Sequence, residues 1–300
     1  MKVLLTSATG YIGSAVARAL QLSHHQVVGI ARSKAAAQHL ERAGIHPHLG
    51  NLTDAESLER AAVQVDAIIH TAATNNAQMA TVDRQAVATL LAALAETHKP
   101  FVYTSGVWVM GDTGETLADE AFPLNPSPIV AWRPAVENEV LVAADRGVRT
   151  VAIRPALVYG HGGGLLSMLM QAGREQGAVP VIGSGENIWS FVHVDDLATL
   201  YVKAMEQAPP GTLLVGASGE QVSARDVALA AGDAAGVGAS LNLMSLAEGR
   251  QIWGDLANAL ALSQRVSGDY AKCLLRWTPG APSVLADLTK GSYLLTAIAS

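Results

Sequence analysis

Residues 2–20, Lys-Val-Leu-Leu-Thr-Ser-Ala-Thr-Gly-Tyr-Ile-Gly-Ser-Ala-Val-Ala-Arg-Ala-Leu, constrain the fold more than any other stretch. Residues 3–6 are the short apolar run of a buried parallel strand, and residues 7–13 are a glycine turn. Residues 14–20 read as a helix with Ala15, Val16, Ala19 and Leu20 at its apolar positions. Gly10 lets the backbone approach a pyrophosphate, and Gly13 lets the helix pack closely on the strand. The helix start adds free N–H groups and partial positive charge. Ser7 stands where the usual fingerprint has its first glycine. Between a strand and a helix, the motif points to dinucleotide binding.

Strand-like and helix-like segments alternate after it. Residues 27–31, 45–49, 65–70, 101–104 and 150–154 read as further strands. Residues 33–42, 54–62, 83–98 and 133–146 read as helices between them, the second capped by Asp54. Such βα repetition predicts a doubly wound parallel sheet of the Rossmann type. Beyond residue 160 the pattern loosens into a smaller α/β lobe, with short strands at 179–182 and 213–215. Helical stretches there cover 195–206, 223–235, 247–264 and 284–295. The expected division is a nucleotide-binding domain over 1–160, recrossed by later chain, and a substrate lobe over 161–300.

A net charge of −6 argues against a nucleic-acid surface. No run approaches the ~18 apolar residues of a membrane span, so a cytoplasmic protein without membrane partners is expected. One cysteine, Cys273, excludes an intrachain disulfide or a cysteine metal cluster, and the histidines lack metal-ligand spacing.

Several spaced motifs carry a resemblance. They are TSATGYIG at 6–13, IIHTAAT at 68–74, FVYTSGVWVMG at 101–111, IRPALVYGHGG at 153–163, FVHVDDLATLY at 191–201 and LLRWTP at 274–279. In this order the chain resembles the extended short-chain dehydrogenase/reductase superfamily, in its epimerase/dehydratase-like branch. The resemblance implies that Thr9, Gly10, Tyr11, Ile12 and Gly13 cradle the pyrophosphate. It places Asn51 and Leu52 beside the adenine, Thr71, Ala72 and Ala73 along the dinucleotide, and Pro155 and Val158 near the nicotinamide. It also implies pairing of the helices at 83–98 and 133–146 across a homodimer axis.

The end of the second strand bears on the cofactor. An NAD site there usually holds an acid for the ribose hydroxyls. Here Ala31-Arg32-Ser33-Lys34 offers a guanidinium and a hydroxyl to a 2′-phosphate, which predicts NADP.

Relatives in this superfamily use Ser or Thr with a Tyr-x-x-x-Lys pair that shares one helix face. Aligned directly, Trp132 falls at the tyrosine and Val136 at the lysine, and none of the six tyrosines precedes a lysine by four. The serine position falls at Gly106, leaving Ser105 or Thr104 to orient a carbonyl. Ser105, Trp132 and Arg133 are the candidate catalytic residues, with Glu137 and His161 as further proton-handling groups. Trp108, Trp132 and Trp189 are expected around an apolar pocket. Two functions follow: an NADP-dependent reductase of a small carbonyl compound with a non-standard site, or a non-catalytic NADP-binding sensor like the NmrA-like proteins. An epimerase or dehydratase is a further alternative.

Overall fold

The structure is a computed structural model that describes residues 1–74 and 76–294. The first half alternates β1 (Lys2–Leu5), α1 (Tyr11–Leu22), β2 (Gln26–Ala31), α2 (Lys34–Arg42), β3 (His46–Leu49), α3 (Ala55–Val63), β4 (Ala67–His70), α4 (Met79–Leu94) and β5 (Pro100–Thr104). It continues through β6 (Leu117–Ala118), α5 (Arg133–Val142), β7 (Arg149–Pro155) and β8 (Leu157–Tyr159). The second half holds α6 (Gly164–Gln176), β9 (Val179–Ile182), β10 (Ile188–His193), α7 (Val194–Gln207), β11 (Thr212–Gly216), β12 (Gln221–Ser223) and α8 (Ala224–Ala235). It closes with β13 (Leu241–Met244), α9 (Leu246–Trp253), α10 (Leu256–Leu260), β14 (Arg265–Val266), α11 (Asp269–Leu275) and α12 (Val284–Lys290).

Seven strands form one parallel sheet in the order β11-β7-β5-β4-β1-β2-β3. The doubly wound expectation holds. Strand periodicity sorts side chains to opposite faces. Val3, Leu5, Ile69, Val102 and Val151 join a core beneath α1 and α7, while Leu4, Ile68, Phe101 and Ala152 join a core beneath α3, α4 and α5. A third core, with Tyr159, Leu169, Phe191, Val227 and Leu288, fills the smaller lobe.

Residues 212–216 pair with β7 at the sheet edge, so this late strand belongs to the large sheet. The helix expected over 83–98 lies at Met79–Leu94 instead. Glu96 and His98 take positive φ of 62° and 57°, and their N–H groups bond Arg146 and Gly147 carbonyls rather than continuing the helix. Within 133–146 the α-helix stops at Val142 and a 3-10 turn follows. The helix expected over 247–264 is split at Gly254, whose φ is +55°. α12 ends at Lys290, residues 292–294 are helical again after Gly291, and Leu295 lies outside the described residues.

Candidate cofactor groove and substrate pocket

The carboxyl ends of β1, β2 and β4 open onto a groove of about 480 Å³. Thr9, Arg32, Asn51, Leu52, Ala72 and Ala73 are on its walls, six of the positions expected to touch a dinucleotide. The geometry beneath the groove explains the glycines. A Cβ on Gly13 would sit 1.7 Å from the Ser7 carbonyl oxygen, so α1 reaches its closeness to the β1 turn only without one. Gly10 is the extended residue before α1, and a Cβ there would meet Ser7 Oγ at 2.5 Å. Thr6 Oγ1 accepts from the N–H groups of Thr71 and Ala72, tying the β4 end to β1.

Gly10, Gly13 and Thr71 therefore shape the floor from behind. Thr71 Oγ1 lies 3.2 Å from the Gly13 Cβ position and, like Thr74 Oγ1, is buried with no hydrogen-bond partner among the described residues. Ser33 also departs from expectation: its side chain accepts from Ala36 N and caps α2, and it is not on the groove wall. Arg32, one residue earlier, is on that wall, and among the described residues no acidic side chain is. Hydroxyl-lined walls, orphaned buried hydroxyls and a cradle that a Cβ would fill suit a dinucleotide.

Ala73 lies on this groove and also on a second, mainly apolar cavity of about 360 Å³. Tyr11, Ile12, Pro155 and Val158 form one side of that cavity. Val107, Trp108, Ile129 and Leu165 close much of the rest. Its polar groups are few. Ser105 Oγ is buried and without a partner among the described residues. Thr104 Oγ1 is engaged, donating to the His70 carbonyl at 2.8 Å and meeting Tyr201 Oη at 2.6 Å. Of the two hydroxyls, Ser105 is the one left for a ligand.

Arg133 supplies the cavity's cation. Its Nη1 donates to the Thr104 carbonyl at 2.6 Å, and its guanidinium lies 4.6 Å from the Trp132 ring centroid. One of five N–H groups is thereby used, and the plane is held by a cation–π contact. Trp132 itself packs into the core beneath α3–α5 and is not on the cavity wall. Its place is behind Arg133, as a platform. The residues four apart that share the wall are Ile129 and Arg133, not Trp132 and Val136, the latter fully buried. Ile129 stands in the short 3-10 turn at Pro128–Val130 and Arg133 opens α5, whereas direct alignment put the pair at Trp132 and Val136.

Two further expectations fail on geometry. Glu137 is buried in a two-point pair with Arg154, Nε to Oε2 at 3.0 Å, away from the cavity. His161 pairs with Asp195 at 2.7 Å on the α7 side, beside Arg18. Trp189 belongs to the core of the smaller lobe, so of the three tryptophans only Trp108 lines this cavity. Burial raises the pKa of Tyr11, Tyr103, Tyr159 and Tyr201, and that of Tyr293 to about 12. Tyr11, the tyrosine on the wall, donates its hydroxyl to the Gly160 carbonyl at 2.9 Å. None of these phenols is prepared to release a proton near neutrality.

The model of the NAD dependent epimerase/dehydratase family matches residues 3–216. The chain belongs to this family. Proteins similar to it include an uncharacterized Schizosaccharomyces pombe protein, 29% identical over 98% of this chain and all of that one. The 2-alkyl-3-oxoalkanoate reductase of Stenotrophomonas maltophilia is 29% identical over 72% of this chain and 68% of its own length. Among solved structures, the Thermus thermophilus UDP-glucose 4-epimerase in complex with NAD shares the fold with a TM-score of 0.81 at 19% identity, covering 99% of each chain. Among the described residues no helix is long and apolar enough to cross a membrane.

Proposed function

We infer that this chain is an NADP(H)-dependent reductase of small, largely apolar carbonyl compounds. The observation that carries the reading is that a groove bearing Arg32 and an apolar cavity bearing Arg133 and the unpartnered Ser105 hydroxyl share Ala73 on their walls. When bound, the nicotinamide supplies the hydride. The chain's own residues bind and orient. Arg32 faces the adenine end, where a guanidinium suits a 2′-phosphate and no carboxylate repels it. Pro155 and Val158 fit the nicotinamide end, and the apolar walls exclude water from the acceptor. Ser105 and Arg133 hold the substrate oxygen. The name of the Stenotrophomonas reductase, which denotes reduction of an oxoalkanoate, is in keeping with such a cavity.

Cofactor titration followed by reduced-nicotinamide fluorescence tests the first part. NADPH binds more tightly than NADH, and Arg32→Ala raises the NADPH Kd about tenfold or more while leaving NADH nearly unchanged. Equal affinities in the parent protein refute the NADP assignment. The sensor reading draws on the wall position four residues before Arg133, where Ile129 offers hydrocarbon and no proton donor. Tight NADPH binding with no oxidation against aldehydes, ketones and enones supports that second reading.

A further inference from the structure

Resting on the reductase reading, the cavity limits which carbonyl compounds are reduced. Its ionic and polar equipment is Arg133, the buried Ser105 hydroxyl and two groups already committed, Thr104 and Tyr11. A guanidinium keeps its proton throughout the working range, so Arg133 can stabilise negative charge on oxygen but cannot protonate it. Tyr11 is spent on the Gly160 carbonyl and its pKa is raised by burial. Ile129 fills the remaining place on the wall with hydrocarbon. Other charged groups near Arg133 do not supply the acid. Asp83 is occupied by His70 and Tyr103, and Glu137 by Arg154.

A saturated ketone that accepts hydride becomes an alkoxide, which is strongly basic and calls for an acid at oxygen. A conjugated enone or enal makes no such demand. Hydride adds to the β-carbon, the C=C pair shifts to form a C=C bond between the α-carbon and the carbonyl carbon, and the carbonyl π pair becomes the enolate oxygen lone pair. Water later protonates the α-carbon, so reduced nicotinamide and one proton account for both added hydrogens. An enolate is far less basic than an alkoxide, and a fixed cation with one hydroxyl is the equipment it needs.

We propose that Arg133 and Ser105 form an oxyanion site for enolates, and that the substrates are small, apolar α,β-unsaturated carbonyl compounds reduced at carbon. The Trp132 platform and the Thr104 carbonyl hold the guanidinium in place before the ligand arrives. Ser105 lines the same cavity, and its buried Oγ gains in the complex the partner it lacks among the described residues.

The test needs no turnover. 4-Nitrophenol serves as an enolate mimic whose ionisation is read from its visible spectrum, with the protein saturated in NADP⁺ and, separately, without cofactor. The bound phenol ionises about one pH unit lower than in solution, a tenfold preference for the anion. Arg133→Gln abolishes that preference, Arg133→Lys keeps part of it, and Ser105→Ala weakens it. Circular dichroism checks that each variant is folded. Capture of the neutral phenol, or an anion preference unchanged in folded Arg133→Gln, overturns the oxyanion site. In NADPH oxidation, enones exceed the corresponding saturated ketones in kcat/KM at least tenfold, and the reverse order overturns the substrate class. Failure of the nicotinamide reading shows separately, as absent NADPH binding with phenolate capture intact.

Discussion

Asp83 shows how one buried side chain supports the site from below. Its carboxylate accepts from His70 Nε2 at 3.1 Å and from Tyr103 Oη at 2.8 Å, under the ends of β4 and β5. Burial pushes its pKa up, but the hydrogen bond and charge interaction with His70, the Tyr103 hydroxyl and nearby Arg133 push further down, and the net direction is down. A carboxylate whose folded pKa is depressed adds stability above its unfolded pKa, and that stability is lost as pH falls through the folded value. Asp83→Asn therefore destabilises the protein near neutrality by about 2–5 kcal/mol, since two buried donors lose a charged acceptor. Below about pH 4 the difference from the parent narrows. Urea unfolding of both proteins near neutrality and in acid measures it, and a gap that widens in acid contradicts the assignment.

At the scale of elements, α2 separates what pattern can read from what it cannot. The apolar runs and glycine turn announce β1, α1 and a parallel sheet because burial on both faces of such a sheet forces continuous hydrophobic runs. Ser33 was legible as a polar residue at a helix start but not as a cap, since the same hydroxyl suits a phosphate or the Ala36 N–H. Likewise the Trp132–Arg133 neighbours are adjacent in sequence yet face the core and the cavity respectively. Which of the two faces the cavity depends on tertiary packing, to which a four-residue motif is blind. Residues 213–215 read as a strand, but the membership of Thr212–Gly216 in the large sheet needed the pairing with β7. Ser33→Ala isolates the capping role. It costs about 1 kcal/mol and lowers Tm by about 2–4 °C, while the NADPH Kd shifts less than about threefold. A tenfold weaker NADPH complex at unchanged Tm reassigns the hydroxyl to the phosphate.

Across the whole molecule, the far end of the described chain secures the cofactor side of the cavity. Tyr293 belongs to the core of the smaller lobe, yet its hydroxyl accepts from Gly160 N at 2.9 Å and donates to the Gly163 carbonyl at 2.8 Å. Those two residues bracket the turn between β8 and α6, and Tyr11 reaches the same turn through the Gly160 carbonyl. Tyr11 fits there because the turn is glycine: a Cβ on Gly163 would come within 2.4 Å of its ring. The C-terminal segment, the turn and the first residue of α1 are thus hydrogen-bonded in series. Tyr293→Phe keeps the ring's burial and removes both bonds to the turn. At about 1 kcal/mol for each, it costs about 2 kcal/mol in global stability. If the series also sets Tyr11 against the bound nicotinamide, the NADPH Kd rises several-fold in step, whereas Tyr11→Phe, which releases the Gly160 carbonyl and the Tyr293 hydroxyl but leaves both Tyr293 bonds to the turn, has the smaller effect on stability. Calorimetric melting of both variants, beside cofactor titration, measures each quantity. A Tyr293→Phe protein with parental Tm and parental Kd shows that the turn holds its shape without the C-terminal segment.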